Sequence, residues 1–324
     1  LKFSESYLGT SVKMPIRVIR ARSSGPRVLI TGCIHGDELA GMGIVRELLY
    51  GQPPNLLKGS LICIPVVNIF GLDHHTRYLP DRRDLNRCFP GNATGSMSNR
   101  LAHAVYSEIV SQCDYLIDFH SAAIRRTNYP SVRADLTSPV VREMARAFGC
   151  ELIINGKGPE GSLRRTATKA GIPAINIESG EVWKIERGVV EVGVRGIMNV
   201  LKWLGMVEGR PQPPRYQVLV QRTSWVRAEK GGTLSFVANP GDLVTKGQVL
   251  ATNYSIFGRE RRQMLSPCDG AVVGMATMPV VKPGDPVYHL AVLSSSTLNR
   301  VKRELEQGAA SCTVPSRGAD VPLA

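Results

Sequence analysis

From residue 27 onward the chain alternates between two hydrophobic rhythms. Residues 27–32 (RVLITG) and 60–67 (SLICIPVV) are continuous apolar runs, the pattern of strands buried on both faces. Between them DELAGMGIVRELLYG, residues 37–51, carries apolar residues at helical spacing and ends on Gly51, which predicts a helix with a glycine C-cap. The same alternation returns. NRLAHAVYSEIVSQC (99–113) reads as helix, DYLIDFH (114–120) as strand and SPVVREMARAFG (138–149) as helix. CELIIN (150–155) then reads as strand, LRRTATKAG (163–171) as helix, IPAINIESG (172–180) as strand and VVEVGVRGIMNVLKWLGM (189–206) as helix. Such regular alternation predicts an α/β fold, a sheet layered between helices, with functional groups gathered where strands end and loops begin.

The rhythm breaks at VEGRPQPPRY, residues 207–216, whose three prolines and low apolar content mark a linker. Beyond it lie short strand patterns separated by glycine turns. Two segments resemble each other, ANPGDLVTKGQVLA (238–251) and VVKPGDPVYHLAVL (280–293), each a Pro-Gly-Asp turn, a short extended piece and an apolar strand. This duplication predicts a small all-β sandwich similar to the barrel-sandwich fold of biotinyl and lipoyl carrier domains. Those carriers modify a lysine at a hairpin tip, and residues 247–281 contain no lysine, so a carrier role is rejected. The expected organisation is a catalytic domain over 1–206, a linker over 207–216, a β-sandwich domain over 217–295, and a short helix with a polar tail over 296–324.

Composition narrows the class. The 324 residues are 43% hydrophobic and 21% charged, an ordinary globular balance. No apolar run reaches the roughly 18 residues of a membrane span, and LKFSESYLGTSVKMP at the start lacks the basic and apolar regions of a signal peptide. The seven cysteines are odd in number and never spaced C-x-x-C. That argues against a disulfide framework and a cysteine zinc site, and predicts a reducing, cytoplasmic setting. The net charge of +13 raises nucleic acid as a partner. Aromatics at 6%, the absence of a recognisable DNA- or RNA-binding motif, and arginines in short pairs argue against it. Pairs such as Arg125–Arg126 and Arg164–Arg165 suit instead a pocket that holds carboxylates.

The candidate chemistry sits at predicted strand ends. TGCIHGDELAG, residues 31–41, places His35 three positions before Glu38, on one face of a turn or first helical turn. His120 follows another apolar strand. His35, Glu38 and His120 would make a His₂Glu set, one of the three-ligand arrangements of catalytic zinc, with Asp118 two residues before His120 as an orienting partner. The remaining histidines, His74, His75, His103 and His289, read as surface or satisfied core residues. The loop TRYLPDRRDLNRCFPG (76–91) offers Arg77, Asn86 and Arg87 for gripping a carboxylate or polarising a carbonyl. Glu178 ends a buried strand, where a carboxylate is costly unless paired or used; it is the preferred general base, ahead of Glu181.

H-x-x-E in HGDE, D-L-N-R in RDLNR, the DFH strand end and E-x-G in IESG occur in that order over residues of about 28–182. Together they resemble the aspartoacylase / succinylglutamate desuccinylase family, a branch of the zinc carboxypeptidase-like enzymes, and look closer to its bacterial deacylases than to aspartoacylase proper. The resemblance implies a mixed sheet flanked by helices with a smaller C-terminal all-β barrel-sandwich domain. It also implies one Zn²⁺ per chain on His35, Glu38 and His120, with Glu178 as base and Arg77, Asn86 and Arg87 on the substrate carboxylate and scissile carbonyl. A further substrate-holding arginine is implied on the helix before the E-x-G strand; Arg164 and Arg165 both qualify, and Arg165 is the one assigned. The expected activity is hydrolysis of the amide of a small N-acyl amino acid, with Arg77 stabilising the oxyanion. The alternatives are a metallocarboxypeptidase acting on peptides and a non-enzymatic, basic nucleic-acid binder. No membrane partner is expected, and a homo-oligomer is compatible with the sequence without being encoded visibly in it.

Overall fold

The computed structural model describes residues 1–5 and 8–310. A two-stranded ladder, β1 (Lys2–Glu5) with β2 (Ser11–Lys13), precedes the main sheet. That sheet takes β3 (Arg17–Arg20), β4 (Ser23–Thr31), β5 (Lys58–Ile64), β6 (Tyr115–His120), β7 (Arg126–Ala134), β8 (Leu152–Asn155) and β9 (Ala174–Glu181). Between and after them run α1 (Ala40–Arg46), α2 (Ile69–Asp73), α3 (Met97–Glu108), α4 (Pro139–Phe148), α5 (Leu163–Lys169) and α6 (Arg187–Trp203). The chain continues with β10 (Val218–Val220), β11 (Thr223–Arg227), β12 (Gly232–Phe236), β13 (Leu243–Val244), β14 (Val249–Tyr254) and β15 (Arg261–Leu265). It ends with β16 (Gly270–Ala276), β17 (Val280–Val281), β18 (Pro286–Val292) and α7 (Ser295–Ala310).

The main sheet has the order β11-β18-β16-β7-β9-β6-β4-β5-β3, with β8 and β10 branching from β7 and β13 pairing with β16. Its centre, β5-β4-β6-β9, is parallel, and the strands outside that centre join it antiparallel. Alternate residues of β4 explain the continuous apolar run. Val28 and Ile30 pack into one core with Ile44 of α1, Met144 of α4 and Ile197 of α6. Leu29 faces the opposite core with Leu101 of α3 and Leu163 of α5. Both faces are covered, so the expected helix-flanked mixed α/β sheet is what forms.

Several details depart from the expectation. The predicted helix over 37–51 starts only at Ala40 and widens into a π-helical turn over Glu47–Gly51, whose cap is Gln52 and not Gly51. Strand β7 carries no apolar run, and Pro130 falls inside it; Tyr129 and Pro130 sit where the β7–β9 register shifts, a bulge that tolerates a residue with no ladder donor. The segment 207–216 is packed, with Val207 and Tyr216 buried and β10 paired in parallel with β8 just beyond.

Residues beyond 217 are strands up to α7. Strands β16, β18 and β11 extend the main sheet, joined to it by Gly274 opposite Asn128 and Ala276 opposite Arg126. A second sheet, β15-β14-β12-β17, packs on them through Leu234, Leu250, Val272 and Tyr288. The two Pro-Gly-Asp turns share one geometry: Asn239 N–H donates to Asp242 Oδ2 at 2.8 Å and Lys282 N–H to Asp285 Oδ2 at 2.8 Å. Gly241 and Gly284 take φ of 94° and 88°. The expected tail beyond residue 310 lies outside the described residues. Among these, no helix is long and apolar enough to cross a membrane.

Candidate active site

Parallel pairing brings the C-terminal ends of β4, β6 and β9 to one edge. Thr31 pairs with Asp118, Asp118 with Asn176, and His120 with Glu178. Cross-strand partners point to the same face, and residues two apart on a strand share it. Asp118, His120, Asn176 and Glu178 therefore line one patch, while Phe119 and Ile177 turn into the opposite core.

His35 and Glu38 reach this patch from the loop between β4 and α1. Its backbone is pinned to the next loop, with Val67 N–H donating to Gly32 O at 3.0 Å and Asn68 N–H to Cys33 O at 2.9 Å. Gly36 is required there, since a Cβ would lie 1.9 Å from the carbonyl carbon of Gly71. The two side chains share a turn and not a helix, and Glu38 N–H donates to His35 O at 3.2 Å.

The three expected ligands converge. His35 Nδ1 meets Glu38 Oε1 at 2.7 Å and His120 Nδ1 meets Glu38 Oε2 at 2.8 Å. One donor atom from each residue lies within 4.8 Å of the others, and all three residues are buried. The far nitrogens are held as well: His120 Nε2 by Asp118 Oδ2 at 2.9 Å and His35 Nε2 by Asp84 Oδ1 at 3.0 Å. Thr31 Oγ1 steadies Asp118 at 2.7 Å. Asp118 thus takes the orienting place its spacing predicts. Asp84, inside the RDLNR motif, is a second such residue that the sequence reading passed over.

Arg77 ties the cluster together, donating to Glu38 Oε1 and to Asp84 Oδ2, each at 3.1 Å. Burial alone would raise the Glu38 pKa, but the two imidazoles hold it well below the usual range; Asp84 is likewise held low by His35 and Arg77. Burial disfavours charge on His35 and His120, yet the carboxylates beside them raise both. The residues present fit a divalent cation. Glu38, Asp84 and Asp118 bring three negative charges and Arg77 one positive, so with both imidazoles neutral the cluster carries a charge that one divalent ion balances. His35, Glu38 and His120 can hold such an ion.

From this cluster a cavity of about 470 Å³ runs along the sheet edge. Asn86 and Arg87 line it; Asn86 Oδ1 accepts from Leu163 N–H at 2.8 Å, leaving Nδ2 as its free donor, and Arg87 Nη1 donates to Asn86 O at 2.7 Å. Glu178 also lines it, held by Asn128 Nδ2 at 3.1 Å and Arg133 Nε at 3.5 Å. Glu181, three residues on, faces the other way and bonds to Lys184 and Thr277.

The structure places Arg164, and not Arg165, in the cavity. Helix α5 buries Leu163, Arg164 and Ala167, and Ser162 accepts from Arg165 N–H at its N-cap. One residue is about 100° around a helix, so Arg165 turns outward to Gly158 O and Glu160. Arg164 donates to Gly156 O at 2.8 Å, and its buried Nε has no hydrogen-bond partner among the described residues. Burial, with Arg133 alongside, lowers its pKa to about 10.

The C-terminal strands supply a wall of this cavity, as expected of a C-terminal domain that covers the cleft. His289 of β18, expected to be an ordinary surface or core histidine, is buried, lines the cavity and stacks on Trp225 of β11 with ring centroids 4.3 Å apart and planes at 7°. Arg126 lies over the Trp225 ring, 5.2 Å from its centroid.

Fold and site together define a helix-flanked α/β protein whose cavity joins a candidate metal cluster to a carboxylate and a group of arginines. Residues 24–204 match the family model described as the succinylglutamate desuccinylase/aspartoacylase catalytic domain, and the chain belongs to that family. It is 28% identical over 300 residues to the N-alpha-acetyl-L-2,4-diaminobutyric acid deacetylase of Halomonas elongata, covering 88% of this chain and 87% of that protein. The crystal structure of a succinylglutamate desuccinylase/aspartoacylase from Rhodobacter sphaeroides superposes with a TM-score of 0.78 at 29% identity, covering 90% and 93% of the two chains. The product-bound ectoine utilization protein EutE (DoeB) of Ruegeria pomeroyi shares the fold, with a TM-score of 0.78 at 24% identity and the same coverage.

Proposed function

We propose that the protein is a zinc-dependent hydrolase that cleaves the amide bond of a small N-acyl amino acid. The observation that carries this reading is the convergence of His35, Glu38 and His120 within 4.8 Å, with Glu178 in register beside His120. The names of the relatives, a deacetylase and a desuccinylase/aspartoacylase, support acyl–amide hydrolysis. A cavity of about 470 Å³ is the size of a small-molecule site.

When bound, the zinc ion supplies Lewis acidity toward the acyl carbonyl and lowers the pKa of water from 15.7 to about 7. Glu178, fixed by Asn128 and Arg133, takes the proton of the attacking water and returns it to the leaving amine. Arg77 stabilises the oxyanion, a contribution of about 3–4 kcal/mol for a well-placed donor. Asn86, Arg87 and Arg164 hold the substrate carboxylate; Arg164 takes the place assigned from sequence to Arg165, which is engaged with Glu160.

The test is a hydrolysis screen of acetylated and succinylated amino acids beside short peptides, using zinc-loaded protein. Release of free amino acid from the acyl substrates is the expected result. Removal of C-terminal residues from peptides alone would establish a metallocarboxypeptidase instead.

A further inference from the structure

Strands β14 and β15 are joined by a turn over residues 255–260 that is fixed by its own hydrogen bonds. Ser255 N–H donates to Glu260 O at 3.0 Å, Gly258 N–H to Ser255 O at 2.7 Å and Glu260 N–H to Ser255 Oγ at 3.1 Å. The turn holds Ile256 and Phe257 in solvent at 84% and 86% exposure. Single exposed apolar side chains are ordinary; two adjacent ones at a fixed apex make a wedge. Cations stand beneath it. Arg259, Arg261 and Arg262 are exposed, with Glu260 as the acid among them, and none of the three forms an ion pair among the described residues. Arg262 pairs across the ladder with Asn253, so their side chains share a face. There a cavity of about 260 Å³ is lined by Arg227, Lys230 and Arg262, with Glu229 and the buried Asn253.

We propose that the β14–β15 hairpin is a peripheral membrane contact: Ile256 and Phe257 enter the headgroup layer of an anionic bilayer, and the arginines beneath them meet its phosphates. The dimensions agree. Asn253 and Arg262 lie two residues of strand, roughly 7 Å, from the turn, and apolar groups of interfacial proteins reach about 5–10 Å into the headgroup and acyl boundary. With the apex at that depth, the cavity cations stand at the level of the phosphates. A two-residue apex is small against the roughly 800 Å² that a protein interface buries on each partner. The net charge of +13 steers the chain toward an anionic surface. Such a contact needs no apolar run of spanning length, so the hydrophobic pattern carried no sign of it, and the expectation of no membrane partner is what it revises. None of the hairpin residues lines the active-site cavity, so the inference stands apart from the deacylase reading.

The test is sedimentation of the full chain with vesicles of pure phosphatidylcholine and of equal parts phosphatidylcholine and phosphatidylglycerol. Wild type should sediment with the mixed vesicles and stay in solution beside the neutral ones. Ile256→Ser with Phe257→Ser keeps every charge and should weaken binding to the mixed vesicles about tenfold for each side chain, the lower end for burying a group of this size. Arg259→Gln, Arg261→Gln and Arg262→Gln together should weaken it about fivefold for each charge removed. Poly-L-glutamate, an anion with no apolar layer, should bind wild type and the serine variant alike, circular dichroism checking that both variants fold. Wild type that stays in solution with the mixed vesicles overturns the proposal. So does a serine variant that sediments as tightly as wild type, since net charge alone would then account for binding. Weaker binding of poly-L-glutamate by the serine variant would also overturn it, in favour of an acidic protein partner.

Discussion

The two ends of the cavity solve opposite electrostatic problems. At the metal end the charges interlock: His35, His120, Glu38, Asp84 and Arg77 each have a partner at 2.7–3.1 Å. At the other end Arg126 and Arg164 lack carboxylate partners among the described residues, and Arg133 has one at 3.5 Å. A ring of mutually satisfied donors and acceptors is rigid and presents one orientation of each imidazole, which a coordinated ion needs. A group of guanidiniums with fewer carboxylates than positive charges is less settled by itself and can be satisfied by an anion. The candidate metal end is therefore organised in advance, and the arginine end keeps donors that an anion can meet.

Breaking the metal end should give the largest effect. His120→Ala removes one of the three proposed zinc ligands and a hydrogen-bond partner of Glu38. Elemental analysis of the purified variant should find zinc well below one per chain; a stoichiometric content would show that the cluster is not the metal site. Glu178→Gln is the next test and should separate chemistry from metal binding. It keeps the shape of the side chain and can still contact Asn128, so zinc content should be unchanged. Turnover should fall about a hundredfold or more, the usual range for a general base. Unimpaired turnover would remove Glu178 from the mechanism.

What could be read from the sequence follows the same division. The proposed ligands His35, Glu38 and His120 stand out because buried strands announce themselves by apolar runs, with His120 at the end of one run and the H-x-x-E spacing in the loop that follows another. The arginine end was hidden because Arg126, Trp225 and His289 come from strands far apart in sequence, joined only by the β7–β16–β18–β11 pairings. Strand β7 itself gives no local signal, with Pro130 within it and polar residues around it. The Arg125–Arg126 pair was a clue to carboxylate binding without a location. The choice between Arg164 and Arg165 turns on the rotation of a seven-residue helix, which the start of α5 fixes and spacing to Glu178 does not.

A smaller effect should come from the residues that orient the ligands. Asp84→Asn keeps a side chain of the same size but replaces the carboxylate oxygens that meet His35 and Arg77 with an amide. Zinc affinity measured by competition with a chelator should weaken about 10–100-fold, the usual cost of losing such a partner. Unaltered affinity would mean that Asp84 serves the RDLNR loop alone.

The smallest expected effect probes the arginine end through its neutral ring. His289 has an ordinary pKa of 6.5 that falls to about 4 in the folded chain because it is buried beside Arg133 and Arg126. The unfolded state therefore binds a proton between pH 6.5 and 4 that the folded state refuses. The sign follows: this group costs the fold nothing above pH 6.5 and destabilises it progressively as pH drops toward 4. At 1.36 kcal/mol per pH unit, lowering the pH from 6.5 to 5 should cost up to about 2 kcal/mol through this residue. His289→Phe keeps a flat ring against Trp225 and removes the proton site. Urea unfolding at the two pH values should show a smaller acid loss in the variant than in wild type, by that amount. Equal losses would mean that His289 can accept a proton where it sits, and that the charge around it is already balanced.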